Sequence, residues 1–207
     1  MNARASQHFE REASGLASRY DSITFDEVHG AIAPYLPAPP ADILDIGAGS
    51  GRDARALAAL GFRVTAVEPS ASFRLIAAAA SAESGIRWVD DRLPRLASLD
   101  GQVGAFDFIL CSAVLMYVPP RDLGQSLAAM ARLLAPEGHL TISVRDPAPR
   151  EPHGLIHRHD DAVILGAAQQ AGLGLAERSE RGDALGRAGN LWRNFVFAHC
   201  ATAAQPA

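Results

Sequence analysis

A surplus of basic charge is missing from this 207-residue chain: 19 Lys and Arg stand against 23 Asp and Glu, for a net charge of −4. A surface built for nucleic acid needs clustered Lys and Arg with a basic balance, so no nucleic-acid partner is expected. Cysteine is scarce as well. Cys111 and Cys200 lie far apart and match no metal-ligand spacing. Cys111 sits in an apolar run and reads as a reduced, buried thiol, which suits a cytoplasmic protein. No run approaches the roughly 18 apolar residues a membrane span needs. The opening "MNARASQHFERE" has no apolar stretch behind its basic residues, so no signal peptide and no membrane association are expected. The composition is 48% hydrophobic and 20% charged, as in ordinary globular proteins. A chain this long buries about 70% of its unfolded surface, enough for a sizeable core.

The apolar pattern alternates in period along most of the chain. Strands are expected over 42–46, 63–67, 86–89, 106–111 and 139–144, with helices over 52–60, 72–82 and 122–134 between them. That order argues for an α/β fold with a parallel sheet and helices on both faces. Residues 1–36 look helical and polar and end at "PYLPAPP", where consecutive prolines forbid helix. Near the end, 160–171 reads as a helix stopped by Gly172, and 174–178 and 192–199 read as strands. The glycine-containing loop between those two strands is too short for a crossover helix, so the last pair should be antiparallel. The economical organisation is an N-terminal helical cap, 1–36, on a single folding unit, 37–207.

The chemistry concentrates in "ILDIGAGSGRDARALAALGFRVTAVEPS", which begins at Ile43. Gly47, Gly49 and Gly51 follow the first strand without a break and open a helix, where backbone amides are unpaired. Glu68 comes 21 positions after Gly47, at the tip of the neighbouring strand. A carboxylate there can accept both ribose hydroxyls of an adenosine. The segment "GSGRDA" fits a dinucleotide fingerprint formally, which leaves an NAD(P)-dependent oxidoreductase as an alternative. Asp45, Gly47, Gly49 and Gly51 also fill the frame D-x-G-x-G-x-G. Here the chain resembles the class I S-adenosylmethionine-dependent methyltransferases, over about residues 20 to 200. Asp45 and Asp53 would repel a diphosphate and tolerate a sulfonium cation.

This resemblance implies a Rossmann-like seven-stranded, mostly parallel sheet with an antiparallel last strand. It also implies S-adenosylmethionine as cofactor, S-adenosylhomocysteine as product, and methyl transfer to an O, N, C or S atom. On that basis the backbone of Gly47, Ala48, Gly49 and Gly51 is assigned to the methionine and ribose part, with Asp45 in the strand before it. Glu68, followed by Pro69, takes the ribose. In "IRWVDDRLP" the family pattern favours Asp91 over Asp90 beside the adenine, with the Arg92 amide as neighbour. Ser112 is placed at the amino-acid end, and Tyr20 in "SRYDS" resembles an N-terminal tyrosine that reaches the cofactor carboxylate in some members. Arg19 and Arg52 are rivals for that carboxylate. A non-catalytic cofactor-binding relative remains a further alternative.

For the acceptor, "RDPAPREPHGLIHRHD" follows the fifth strand and holds His153, His157 and His159. They read as a solvated loop, a substrate contact or base, or a metal site, and the metal reading is not adopted. His157, His153 and Tyr117 are the candidate catalytic residues, with Met116 beside Tyr117. Family members that methylate nucleic-acid bases usually carry an Asn/Asp/Ser-Pro-Pro-aromatic cluster after the fourth strand. Here that place reads Cys111-Ser112-Ala113-Val114, and there is no Pro-Cys nucleophile. A small-molecule acceptor is the expectation; monomer and homodimer both stay open.

Overall fold

The computed structural model describes residues 3–148, 151–152 and 154–200. In chain order the elements are α1 (Ala3–Tyr20), α2 (Phe25–His29), β1 (Asp42–Ile46), α3 (Arg52–Ala59), β2 (Arg63–Val67), α4 (Ala71–Ala80) and β3 (Arg87–Val89). Then come β4 (Phe106–Ser112), α5 (Leu123–Leu133), β5 (Leu134–Arg145), α6 (Asp161–Gln170), β6 (Leu173–Arg181) and β7 (Trp192–His199). The strands form one seven-stranded sheet in the order β3-β2-β1-β4-β5-β7-β6. Six run the same way, and β7 runs antiparallel to β5 and β6 on either side. The expected antiparallel ending is therefore present, as are the bounds of β1, β2 and β7.

Each face of the sheet carries its own core. On one face α5 and α6 bury Leu127, Met130, Leu133, Ile164 and Ala168 against Ile109, Leu140, Ile142 and Phe195. On the other, α2 and α3 pack Phe25, Ala54 and Leu57 onto Ile43, Val64, Ala66 and Phe108. The continuous apolar strands β1 and β4 follow from this, because both of their faces are covered.

The largest departure from the expected boundaries is at the start of β5. The segment Ala135–Gly138 lies inside β5, which begins at Leu134 directly after α5. Pairing with β4 jumps from Phe106–Leu134 to Phe108–His139, so the extra residues bulge. A Cβ on Gly138 would stand 2.9 Å from the Asp107 carbonyl oxygen, so only glycine lets the bulge close onto β4.

The N-terminal segment is two helices and a 3-10 turn. A capping box starts α2: the Thr24 hydroxyl accepts from the Glu27 amide, and the Glu27 carboxylate accepts from the Thr24 amide at 2.7 Å. Ala13 and Ala17 of α1 pack on Phe73 of α4 with Leu16, Tyr20 and Ile76 around them. Glu10 fixes the register, accepting from the Ser70 hydroxyl at 2.7 Å and the Ser72 hydroxyl at 2.6 Å at the start of α4. This lays α1 across the carboxyl edge of the sheet. No helix among the described residues is long and apolar enough to cross a membrane.

Candidate functional site: the crevice at the carboxyl edge of the sheet

Between α1 and the carboxyl ends of the strands lies a cavity of about 1260 Å³, its open mouth included. Open parallel sheets bind ligands at this edge, where strand order reverses; here β1 and β4 flank the reversal.

One half is built by the tips of β1, β2 and β3. Gly47, Gly49 and Gly51 all have left-handed φ, of 72°, 55° and 78°. A Cβ on Gly47 would stand 2.4 Å from Val114, so the turn is closed to any other residue there. At Gly49 a Cβ would meet nothing nearer than the Tyr20 ring at 3.8 Å, and would project into the space between loop and ring.

The loop's amides are already engaged. Those of Gly47 and Ala48 both donate to the Val67 carbonyl, and that of Gly49 donates to Glu68 Oε2 at 2.9 Å. A diphosphate needs open amides, and the first three here are closed to it, two by a carbonyl and one by a carboxylate.

Glu68 is 5% exposed and takes one further donor, the Ser70 amide at 2.8 Å on Oε1. Burial pushes its carboxyl above the ordinary value, against the pull of those two amides. Each oxygen keeps a lone pair for a ligand hydroxyl.

Asp91 and Arg92 also line the cavity. The Arg92 amide donates to Asp91 Oδ1 and the Ser98 amide to Oδ2, both at 2.7 Å. Asp90 turns away to Arg74, 2.8 Å distant. Pro69, Ala48 and Ser112 complete this wall.

Behind the loop lies a buried charge cluster. Asp53 is held by Arg52, at 2.7 and 2.8 Å, and by His29 Nε2 at 3.0 Å. Burial alone would raise the Asp53 carboxyl; His29 and Arg52 override it and hold it well below the usual range. Asp45, beneath, is 3% exposed with Oδ2 unpartnered. Burial raises its carboxyl well above the ordinary value, and the neighbouring Asp53 adds to this. Asp45 and Gly51 are thus supports of the loop, not part of the cavity wall.

The other half is aromatic and cationic. Tyr20 stacks on Phe73 at 6.1 Å, and Tyr117 meets Phe9 edge-on at 4.9 Å. Burial raises both hydroxyls, that of Tyr117 the further, so neither ionises near neutrality. Met116, Trp192, Arg145, Arg181 and Arg187 line the same side. Of these only Met116 was anticipated. Arg52 is also on the wall and donates to the Tyr20 carbonyl at 3.3 Å, whereas Arg19 is exposed and off it.

Within the histidine loop, His159 has a structural place. His159 is buried, and its Nε2 lies 3.0 Å from the carbonyls of both Leu115 and Val118. Two acceptors require that nitrogen to carry the proton. The His157 amide donates to the Met116 carbonyl at 2.7 Å. These contacts brace the turn that carries Tyr117. The His157 ring is not on the cavity wall, and His153 lies outside the described residues. No group of three metal-ligating side chains occurs among the described residues.

The sheet order, the helices on both faces and the glycine turn at the carboxyl edge define a Rossmann-like α/β protein of methyltransferase type. A family model described as "Methyltransferase domain" matches residues 43–138. The ubiquinone biosynthesis O-methyltransferase of Xanthomonas campestris is 34% identical over 119 residues, 57% of this chain and 48% of that protein. The chain thus spans about half the length of the curated relatives it matches. Magnesium protoporphyrin IX methyltransferase from Synechocystis, solved with S-adenosylhomocysteine, superposes with a TM-score of 0.72 at 16% identity, covering 94% of this chain and 98% of that one. The Burkholderia thailandensis 1,6-didemethyltoxoflavin-N1-methyltransferase gives 0.63 at 24% identity, covering 91% and 89%. Residues 43–138 thus resemble a methyltransferase domain, and the fold of the chain is that of the solved methyltransferases.

Proposed function

We propose that this chain transfers a methyl group from S-adenosylmethionine to a nucleophilic atom of a small-molecule acceptor. The observation that carries this reading is the pairing of a loop whose first amides are closed to phosphate with a buried carboxylate at the tip of β2. When bound, the cofactor supplies a methyl already activated on a sulfonium sulfur.

In this reading Glu68 accepts the two ribose hydroxyls, and Asp91 with the Arg92 amide borders the adenine. For that, the Arg92 amide exchanges its bond to Asp91. The backbone from Gly47 to Ser50, with Ser112, Tyr20 and Arg52, surrounds the amino-acid end, and Gly51 supports the turn. The segment before residue 37 covers the crevice of a folding unit that starts at residue 37, and Phe9, Met116 and Trp192 exclude water from the acceptor.

Tyr117 keeps its proton and orients the acceptor as a donor. With His157 off the wall, catalysis rests on proximity: the acceptor atom is held in line at about 3–3.5 Å. The curated relatives are named as O-methyltransferases, so an oxygen nucleophile is the first to test. We assign the protein to the cytoplasm, where its unpaired Cys111 and Cys200 stay reduced.

The test is release of S-adenosylhomocysteine from S-adenosylmethionine with a panel of catechols, phenols and heterocyclic amines. Turnover that falls at least tenfold in Glu68→Ala supports the reading. Tight cofactor binding without turnover on any acceptor would make the protein a non-catalytic binder.

A further inference from the structure

The acceptor half of the crevice holds more positive charge than its own carboxylates neutralise. Antiparallel pairing sets Trp192, the first residue of β7, opposite Arg145 at the end of β5 and opposite Arg181 at the end of β6. Cross-strand partners share a face of the sheet. The two guanidinium groups accordingly flank one indole, Arg145 at 5.8 Å and Arg181 at 5.3 Å from the ring centre.

Pairing the charges off one by one leaves a remainder. Arg52 has Asp53, Arg145 has Glu151, and Arg187 has Asp183. Asp183 is saturated: Oδ2 accepts from Arg187, Asn190 and Trp192, and Oδ1 from the Leu185 amide. Arg181, half-buried on the wall, has no carboxylate within ion-pair distance among the described residues. Among the described residues its one hydrogen bond is from Nη1 to the adjacent Gly182 carbonyl at 3.3 Å, and its buried Nε has no partner. Burial pulls its pKa down, yet a guanidinium stays charged. Asp183 and Asp53 attract it only from beyond contact distance; a partly desolvated cation with no carboxylate in contact is unfavourable in the isolated protein, and a ligand anion would relieve it.

We propose that Arg181, stacked on Trp192 beside Arg145, recognises a single carboxylate on a flat methyl acceptor. This deepens the methyltransferase reading and rests on it. The surplus is one guanidinium, which matches a monoanion; a phosphate dianion would call for a second free cation, and Arg145 and Arg187 are engaged. The ring of the acceptor lies against Tyr117, Met116 and Trp192. The cofactor's own carboxylate is the rival occupant. Arg52 and Tyr20, beside the glycine loop, serve that group without Arg181.

The test uses the full-length protein and calorimetry. S-adenosylhomocysteine binding is measured first; if the wild type does not bind it, the methyltransferase reading fails and this inference with it. The saturated protein is then titrated with 4-hydroxybenzoate, 4-hydroxybenzamide and 4-hydroxyphenyl phosphate. The expected result is a tenfold or greater preference for the acid over the amide, with the phosphate binding more weakly than the acid. Arg181→Gln should reduce that preference to within twofold and Arg181→Lys should restore part of it. S-adenosylhomocysteine affinity should stay within twofold of wild type in both. No preference in the wild type, a preference that survives in Arg181→Gln, or tightest binding of the phosphate would overturn the proposal while leaving methyl transfer standing. So would a tenfold loss of S-adenosylhomocysteine binding in Arg181→Gln with 5′-methylthioadenosine binding unchanged, because Arg181 would then be holding the cofactor's carboxylate.

Discussion

The two halves of the crevice are made by opposite means. The half beneath β1, β2 and β3 is built from backbone: three left-handed glycines, a buried acid two residues from its own amide donor, and an aspartate wrapped in its own loop. The half beneath β5, β6 and β7 is built from long side chains that meet only because β7 turns back between its neighbours. Backbone geometry suits a ligand that never changes, and side chains suit one that differs from protein to protein. Substitutions in the first half should therefore act on cofactor binding and folding, and those in the second on the acceptor.

The harshest blow to the first half is Gly47→Val. The side chain would occupy a left-handed φ and stand against Val114. Strain and overpacking together cost roughly 2–5 kcal/mol, read as a lower melting temperature and loss of S-adenosylhomocysteine binding. An unchanged melting temperature would mean the turn is not as tight as described. Next comes Glu68→Ala, which should weaken S-adenosylhomocysteine binding by about 1.5–3 kcal/mol, the scale of hydrogen bonds to a charged group. A dissociation constant within twofold of wild type in the folded variant would refute the ribose assignment.

Asp45→Asn separates support from contact. A carboxyl raised by burial favours the fold while protonated. Stability is full below the ordinary Asp value of 3.8, falls as pH rises towards the folded-state value, and stays reduced above it. The asparagine variant should melt higher than wild type at pH 7, by about 1.4 kcal/mol for each unit of the shift. At pH 3.5 the two should melt alike. Equal melting temperatures at both values would contradict a desolvated carboxylate. The smallest effect belongs to Tyr117→Phe, which removes one hydroxyl from the second half. Cofactor affinity should not move, and turnover should fall by less than about tenfold, the scale of one neutral hydrogen bond. A thousandfold loss would make that hydroxyl the catalytic group after all.

This division also explains what could be read in advance. Gly47, Gly49, Gly51 and Glu68 fall within one βαβ unit, so their spacing along the chain nearly fixes their spacing in space. The strands β1, β2 and β7 were legible because their apolar runs end sharply. Arg145, Arg181 and Trp192 are separated by up to 47 positions, and their meeting depends on strand register, which no local pattern encodes. A signal did exist: once the last pair is taken as antiparallel, the end of β5, the start of β7 and the end of β6 must share an edge. The place of His159 was hidden for the same reason. The spacing of the histidines suggested chemistry, but burial of His159 under the Tyr117 turn is a tertiary fact.

The central claim is that the glycine turn and Glu68 hold a sulfonium nucleoside and not a dinucleotide. Calorimetric titration of the wild-type protein with S-adenosylhomocysteine and, separately, with NADH tests it directly. The account predicts saturable one-site binding of the first at micromolar concentrations and no heat from the second. Binding of NADH with no response to S-adenosylhomocysteine would contradict it.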